Sequence, residues 1–341
     1  MNNYANSSNK VDKKHIFANP LLDWIFIVCP IWIGATYFIS VKVLPEQRPF
    51  IFFIYLFFLG ESHFGVTWLF IKNKSNRKWL LERKTTFVAI PLLLIISFVF
   101  LGIYSLRLAV YLLSLVSFFH ITRQSIGLFK IYADRPTKHD ESFIYFSTVF
   151  WATISFYRFI VAPFFAERFA FYSNHQTTLE ILISTIGFLG IAVFLLMIFF
   201  RQRRHKNALG SASLAVSLLM FAPLGFVKFI QDATIIGVGI HWCQYLALNF
   251  KLYISNNGSA KRLRTTFYTQ YALITFVFLY GFVMAGVLTG LGSEFSSNSL
   301  WILIPLVFEM GHFYIDAFIW KFSNPYIRET VGRKLFSESS R

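Results

Sequence analysis

A chain of 341 residues with 56% apolar and 14% charged side chains and a mean hydropathy of +0.56 excludes a pair of soluble domains and belongs with polytopic membrane proteins. A net charge of +16 on a soluble protein would suit nucleic acid, but here the cations sit between apolar runs and that partner is excluded. Cys29 and Cys243 lie in apolar runs without metal-type spacing and read as buried thiols that say nothing of redox compartment.

Residues 1–19 form a polar tail carrying Lys10, Lys13 and Lys14. The apolar run behind it has no small-residue cleavage site and reads as an uncleaved first span, not a signal peptide. Ten segments are long enough to cross a hydrocarbon core of ~30 Å: 20–41, 49–71, 86–106, 108–129, 142–165, 178–200, 209–230, 233–250, 267–291 and 299–320. The expected fold is an all-α bundle over 20–320, with a basic tail at 321–341. Asn324-Pro325 ends the last helix soon after Trp320. With the N-terminus in the cytoplasm, most of the 32 Lys and Arg fall on cytoplasmic segments, and the outer segments keep only Lys42, Arg48, Arg107, Arg168 and Lys228. The positive-inside rule then selects ten spans with both termini cytoplasmic, in a membrane that reads as the bacterial inner membrane. The connections are short and basic, which suits an anionic leaflet better than a folded module.

Four of the eight histidines lie in spans: His63, His120, His241 and His312. Each precedes a lysine at a span end (Lys72, Lys130, Lys251, Lys321) by nine or ten residues. These spans, the second, fourth, eighth and tenth, all run inward, so each imidazole sits ~14 Å from the cytoplasmic boundary, near mid-membrane. His15, His139, His175 and His205 fall in the tail or the loops.

The acids follow the histidines. Glu61, Glu309 and Asp316 are the acids well inside spans, each within four residues of one of these histidines. Glu309, His312 and Asp316 share one helix face. Gln124, Gln244 and Thr67 stand about one turn after His120, His241 and His63, where such groups fix imidazole tautomers and orient ligands. Glu61 is ~200° around the helix from His63 and needs a distortion to face the same way. Arg123 either snorkels or meets an anionic head group or carboxylate, while Arg158 and Lys228 read as outer, interfacial cations. The 43 Phe, eight Trp and 16 Tyr fill helix contacts and interfacial belts, or line a tunnel for a long apolar substrate. Phosphate loops, CxxC zinc patterns, serine elbows and HExxH are absent.

Neutral imidazole binds iron, zinc, copper and nickel, and helix bundles build such sites from facing helices. Four histidines with a carboxylate suit six-coordinate iron, with Asp316 and Glu309 as the candidate catalytic groups. This architecture resembles the Brp/Blh-type membrane carotene dioxygenases, in which histidines on several spans hold a non-haem iron that attacks an apolar polyene. The resemblance implies His63, His120, His241 and His312 as iron ligands. Separately, HFYIDAFIWK near the C-terminus, with HITRQSIGLFKIY, is similar to motifs in a group of uncharacterised bacterial multi-span proteins and brings no function with it. The histidine blocks of alkane hydroxylases and fatty-acid desaturases are absent.

The expectation is an Fe(II)-dependent oxygenase acting on an apolar lipid or polyene drawn from the bilayer. Three readings stand beside it. One is a haem protein with bis-His ligation, in which Gly60, Gly65, Gly127 and Gly311 either admit the macrocycle or permit close helix packing. Another is a zinc-dependent lipid hydrolase with Asp316 or Glu309 as base. The last is a proton or metal-ion transporter, although broken Gly/Pro helices in matched halves are missing.

Overall fold

The computed structural model describes residues 16–17, 19–254, 263–290 and 300–336. Lys10, Lys13, Lys14, His15, the loop 255–262, residues 291–299 and residues 337–341 lie outside the described residues. The described chain is helical, without strands. It begins with α1 (Pro20–Val28) and α2 (Trp32–Val43), bent by 59° at Pro30, which has no amide to donate to the preceding turn. There follow α3 (Pro45–Ile71), the short α4 (Lys74–Leu81), α5 (Thr85–Tyr104), α6 (Leu106–Tyr132) and α7 (Lys138–Arg168). The chain continues through α8 (Ala170–His205), α9 (Ala208–Phe226), α10 (Ile230–Ile254), α11 (Leu263–Leu288), α12 (Leu303–Ile319) and α13 (325–336).

Local chemistry marks the boundaries. Ser105 breaks α5 from α6 with an extended backbone, and its side chain accepts from Leu108 N. Thr137 and Asp140 form a reciprocal capping box at the start of α7. Asn324 caps α13, accepting from Tyr326 N and Ile327 N.

The ten expected spans correspond one for one to helices or the bent pair. Seven of them are long and apolar enough to cross a membrane, or eight with the bent pair counted. The two that fall short are α10 and α12. α12 has 17 residues, and α10 carries Asp232, His241, Gln244, Asn249 and Lys251, all buried. The reason is position: these helices face protein, so their side chains need not be lipid-soluble. By contrast α5 and α8 leave Leu93, Phe100, Phe188 and Phe200 exposed, which suits a hydrocarbon surround.

The bundle closes around α10. Gly237 of α10 meets the Met220 carbonyl so closely that no Cβ fits, and Gly281 of α11 does the same against Phe57 O and Ser62 on α3. Asp232 accepts from Arg48 Nη2 at 2.7 Å, Arg48 Nε at 3.1 Å and Tyr37 OH at 2.7 Å, fastening α10 to α2 and α3. Arg48, counted above only among the cations of the outer segments, is thus part of a half-buried clamp. At the other end, Phe70, Leu128, Leu252 and Ile319 share one core cluster, so the C-terminal ends of α3, α6, α10 and α12 come together. α13 folds back into this cluster through Ile327, Val331 and Leu335, and Tyr326 stacks on Trp79 at 5.0 Å. The start of the expected basic tail is therefore packed structure.

Candidate metal centre

Helices α3, α6, α10 and α12 each contribute one imidazole to a single buried cluster. His63, His120, His241 and His312 are 1%, 7%, 2% and 0% exposed. Their rings form a closed circuit, with centroid separations of 5.5 Å for His63–His241, 5.5 Å for His241–His120, 5.1 Å for His120–His312 and 5.0 Å for His312–His63. Ring nitrogens ~2.1 Å from a shared ion put neighbouring centroids roughly 4.5–5.2 Å apart; the two pairs that include His312 fall in that range, and the two that include His241 stand slightly wider. A π-helical stretch, Leu56–Glu61, ends two residues before His63, and such turns recur at functional sites.

Hydrogen bonds fix which nitrogen faces inward. His63 Nδ1 donates to the Gly60 carbonyl, which leaves Nε2 with its lone pair. His312 Nδ1 lies 2.6 Å from Thr67 Oγ1, Thr67 Oγ1 lies 2.7 Å from Tyr245 OH, and Tyr245 OH donates to Asp316 Oδ1 at 2.6 Å. The carboxylate only accepts, so the chain has one direction: His312 Nδ1–H to Thr67, Thr67 to Tyr245, Tyr245 to Asp316. His312 Nε2 is left as an acceptor. Among the described residues, Nε2 of His120, His241 and His312 is buried without a hydrogen-bond partner.

Asp316 is 2% exposed and held on both oxygens. Trp320 Nε1 donates to Oδ1 at 2.6 Å beside Tyr245, and Gln124 donates to Oδ2. Oδ2 stands 3.6 Å from His120 Nε2. Donor atoms of His120, His312 and Asp316 all lie within 4.8 Å of one another, a two-histidine, one-carboxylate set inside the larger circuit.

The other expected residues divide. Thr67 and Gln124 join the site, but neither bonds the histidine of its own helix: Thr67 bonds His312 and Gln124 bonds Asp316. Gln244 does not bond an imidazole: its amide donates to Ile27 O at 2.6 Å, while Cys243 Sγ lies 3.8 Å from Phe26 O. The bend at Pro30 deprives this turn of a helical donor, and α10 supplies the replacement. Glu61 and Glu309 interact electrostatically with each other across the α3–α12 contact and with Tyr280; neither lines the cavity beside Asp316. Arg123 is exposed on that cavity's wall and bonds Tyr145 OH at 3.2 Å. Tyr245 and Trp320 are additional members of the site. Each follows a site residue by four positions, His241 and Asp316 respectively, and that spacing is the signal by which they can be found.

A cavity of about 1440 Å³ opens from His120, Gln124, Tyr245, Asp316 and Trp320, between apolar walls that include Val116, Phe119 and Phe313. Of the four glycines near the histidines, Gly60, Gly65 and Gly311 pack against Trp242, Tyr280 and Trp68, whereas a Cβ on Gly127 would meet nothing within 4 Å. Gly127 lines the cavity.

Comparison of the chain with protein-family models, curated proteins and solved structures gives no match.

Proposed function

We propose that this chain is an integral-membrane, metal-dependent oxidoreductase whose non-haem ion, iron(II), is held by His63, His120, His241 and His312, and whose lipidic substrate occupies the cavity between α6 and α12. The observation that carries this reading is the cluster of four buried imidazoles, of which His120, His241 and His312 each hold an Nε2 without a hydrogen-bond partner. A buried polar atom left unsatisfied costs about 1–3 kcal/mol. Lone pairs on neighbouring rings cannot satisfy one another, but a cation satisfies all of them at once. The His120, His312 and Asp316 set matches the two-histidine, one-carboxylate pattern of non-haem iron oxygenases, and the resemblance to the carotene dioxygenases points the same way. A bis-His haem separates its two axial rings by a broad macrocycle, whereas here every ring has two histidine neighbours within 5.5 Å.

The bound ion would supply activation of dioxygen for oxidation of the substrate. The chain's own residues supply the rest. Gly60 O and Thr67 hold His63 and His312 in the tautomer that turns Nε2 inward. Tyr245, Trp320 and Gln124 fix Asp316 as a proton acceptor at the deep end of the cavity, and the apolar walls exclude water. Zinc-dependent hydrolysis is the second reading, favoured by the same three-residue set, because catalytic zinc also takes two histidines and a carboxylate. Ten crossings with both termini cytoplasmic, in a bacterial inner membrane, complete the proposal.

Purified protein in detergent tests it. Near-stoichiometric iron, lost in His312→Ala or His120→Ala without loss of helicity, is the expected result. A variant that keeps full metal content overturns the ligand assignment, and stoichiometric zinc in place of iron selects the hydrolase.

A further inference from the structure

The cavity changes character along its length. Its deep end holds His120 and Asp316, Arg123 stands one turn along α6 from His120, and the end beyond Gly127 is basic: Lys130, Lys321, Arg328 and Arg333 line it with a single acid, Glu329. Lys130 pairs with Glu141 at 2.8 Å and Arg123 bonds a tyrosine hydroxyl. Lys321, Arg328 and Arg333 are exposed and make no ion pair among the described residues. Two of these three cations ride on α13, which Ile327, Val331 and Leu335 seat in the core. They are therefore positioned over the cavity and do not trail from a loose tail.

An uncharged polyene has nothing to offer such a mouth. We infer that the substrate is a single-chain amphiphile with an anionic carboxylate or phosphate head, bound at Lys321, Arg328 and Arg333 with its acyl chain running past Gly127 toward His120 and Asp316. The head and the reacting carbon are separated by the His120-to-Lys130 stretch of α6, about 15 Å at the helical rise, which matches roughly a dozen methylenes. Carboxylate and phosphate both fit planar guanidinium donors. Gly127 leaves the width the chain needs, because no neighbour occupies the space a side chain there would take. The inference rests on the proposed function for the chemistry at the deep end and on the cavity alone for binding.

The test measures binding of radiolabelled oleate, oleoyl lysophosphatidate and uncharged monoolein to the full chain in a neutral maltoside detergent, with metal content determined on the same samples. The anionic probes should bind at least about tenfold more tightly than monoolein, whichever of the two heads is preferred. The double variant Arg328→Gln/Arg333→Gln should reduce that preference to about threefold or less. Gly127→Trp, with Gly127→Leu as a milder plug, should weaken all three probes about tenfold and leave the metal in place. Equal affinity for charged and uncharged probes overturns the inference. A preference that survives the Gly127 variants also overturns it, since the cations would then serve bilayer head groups. Metal-free wild type that still prefers oleate sinks the proposed oxidation and sustains this inference; metal-loaded protein without preference does the reverse.

Discussion

Asp316 shows how much of the site is decided by single atoms. Three donors converge on its two oxygens. Asp316→Asn replaces one acceptor with an amide donor facing other donors. Turnover should fall by about 10²-fold or more, the range of a lost general base, while most metal stays bound; an unchanged rate removes Asp316 from the mechanism. Tyr245→Phe acts one bond further away. It leaves Thr67 and Asp316 short of a partner at a cost of about 1–3 kcal/mol and frees the His312 tautomer. Weaker metal retention with the ligands intact is expected, measured by competition with a chelator; retention equal to wild type reduces the Thr67–Tyr245 link to packing. The four histidines were legible in the sequence because each stands at one distance from a lysine. Tyr245 and Trp320 were not, because a fifth of the chain is aromatic and two polar ring tips do not stand out from that background.

Among the elements, α10 carries the greatest structural demand. It is polar enough to fail as a lipid-facing span, yet it must hold His241 at the level of three imidazoles on other helices. Two attachments set that level: the Arg48–Asp232–Tyr37 clamp near its start and the Gln244–Ile27 bond near its middle. The Arg48 and Asp232 side chains are 25% and 13% exposed, and breaking a largely buried pair leaves a charge without compensation. Asp232→Asn should therefore cost about 3 kcal/mol or more, read as a lower unfolding temperature in detergent, and Arg48→Met in the same chain should return part of the loss. If Asp232→Asn unfolds with wild type, the clamp does not set the height of α10. The sequence displayed the helices, since runs of about twenty apolar residues have few other readings. It did not display the bend at Pro30 as the reason for Gln244, nor α13, because a short basic segment after the last apolar run looks like a tail until its Ile327, Val331 and Leu335 are seen on one buried face.

For the whole molecule, direction of travel ties the site to the membrane. The C-terminal ends of α3, α6, α10 and α12 meet in one cluster, and Lys130 and Lys321 line the same cavity mouth, so the histidine-bearing helices run in parallel. Parity then bears on α10. Between α6 and α12 stand α7, α8, α9, α10 and α11; if α10 stopped short of crossing, four crossings would separate α6 from α12 and leave them antiparallel. Parallel α6 and α12 need an odd number, so the proposed ten crossings require α10 to be one of them despite its polarity. Cysteine labelling in intact cells tests this in a background lacking Cys29 and Cys243. Lys206, Lys228 and Lys321 are all exposed, so substitution there should not disturb packing. Lys228→Cys should react with a membrane-impermeant maleimide from outside, and Lys206→Cys and Lys321→Cys only after the cells are opened. Labelling of positions 228 and 321 from the same side would leave an even number of crossings among α10, α11 and α12, so that one of α10 and α12 would not cross, and the mid-membrane depth of the histidine ring would fall with it.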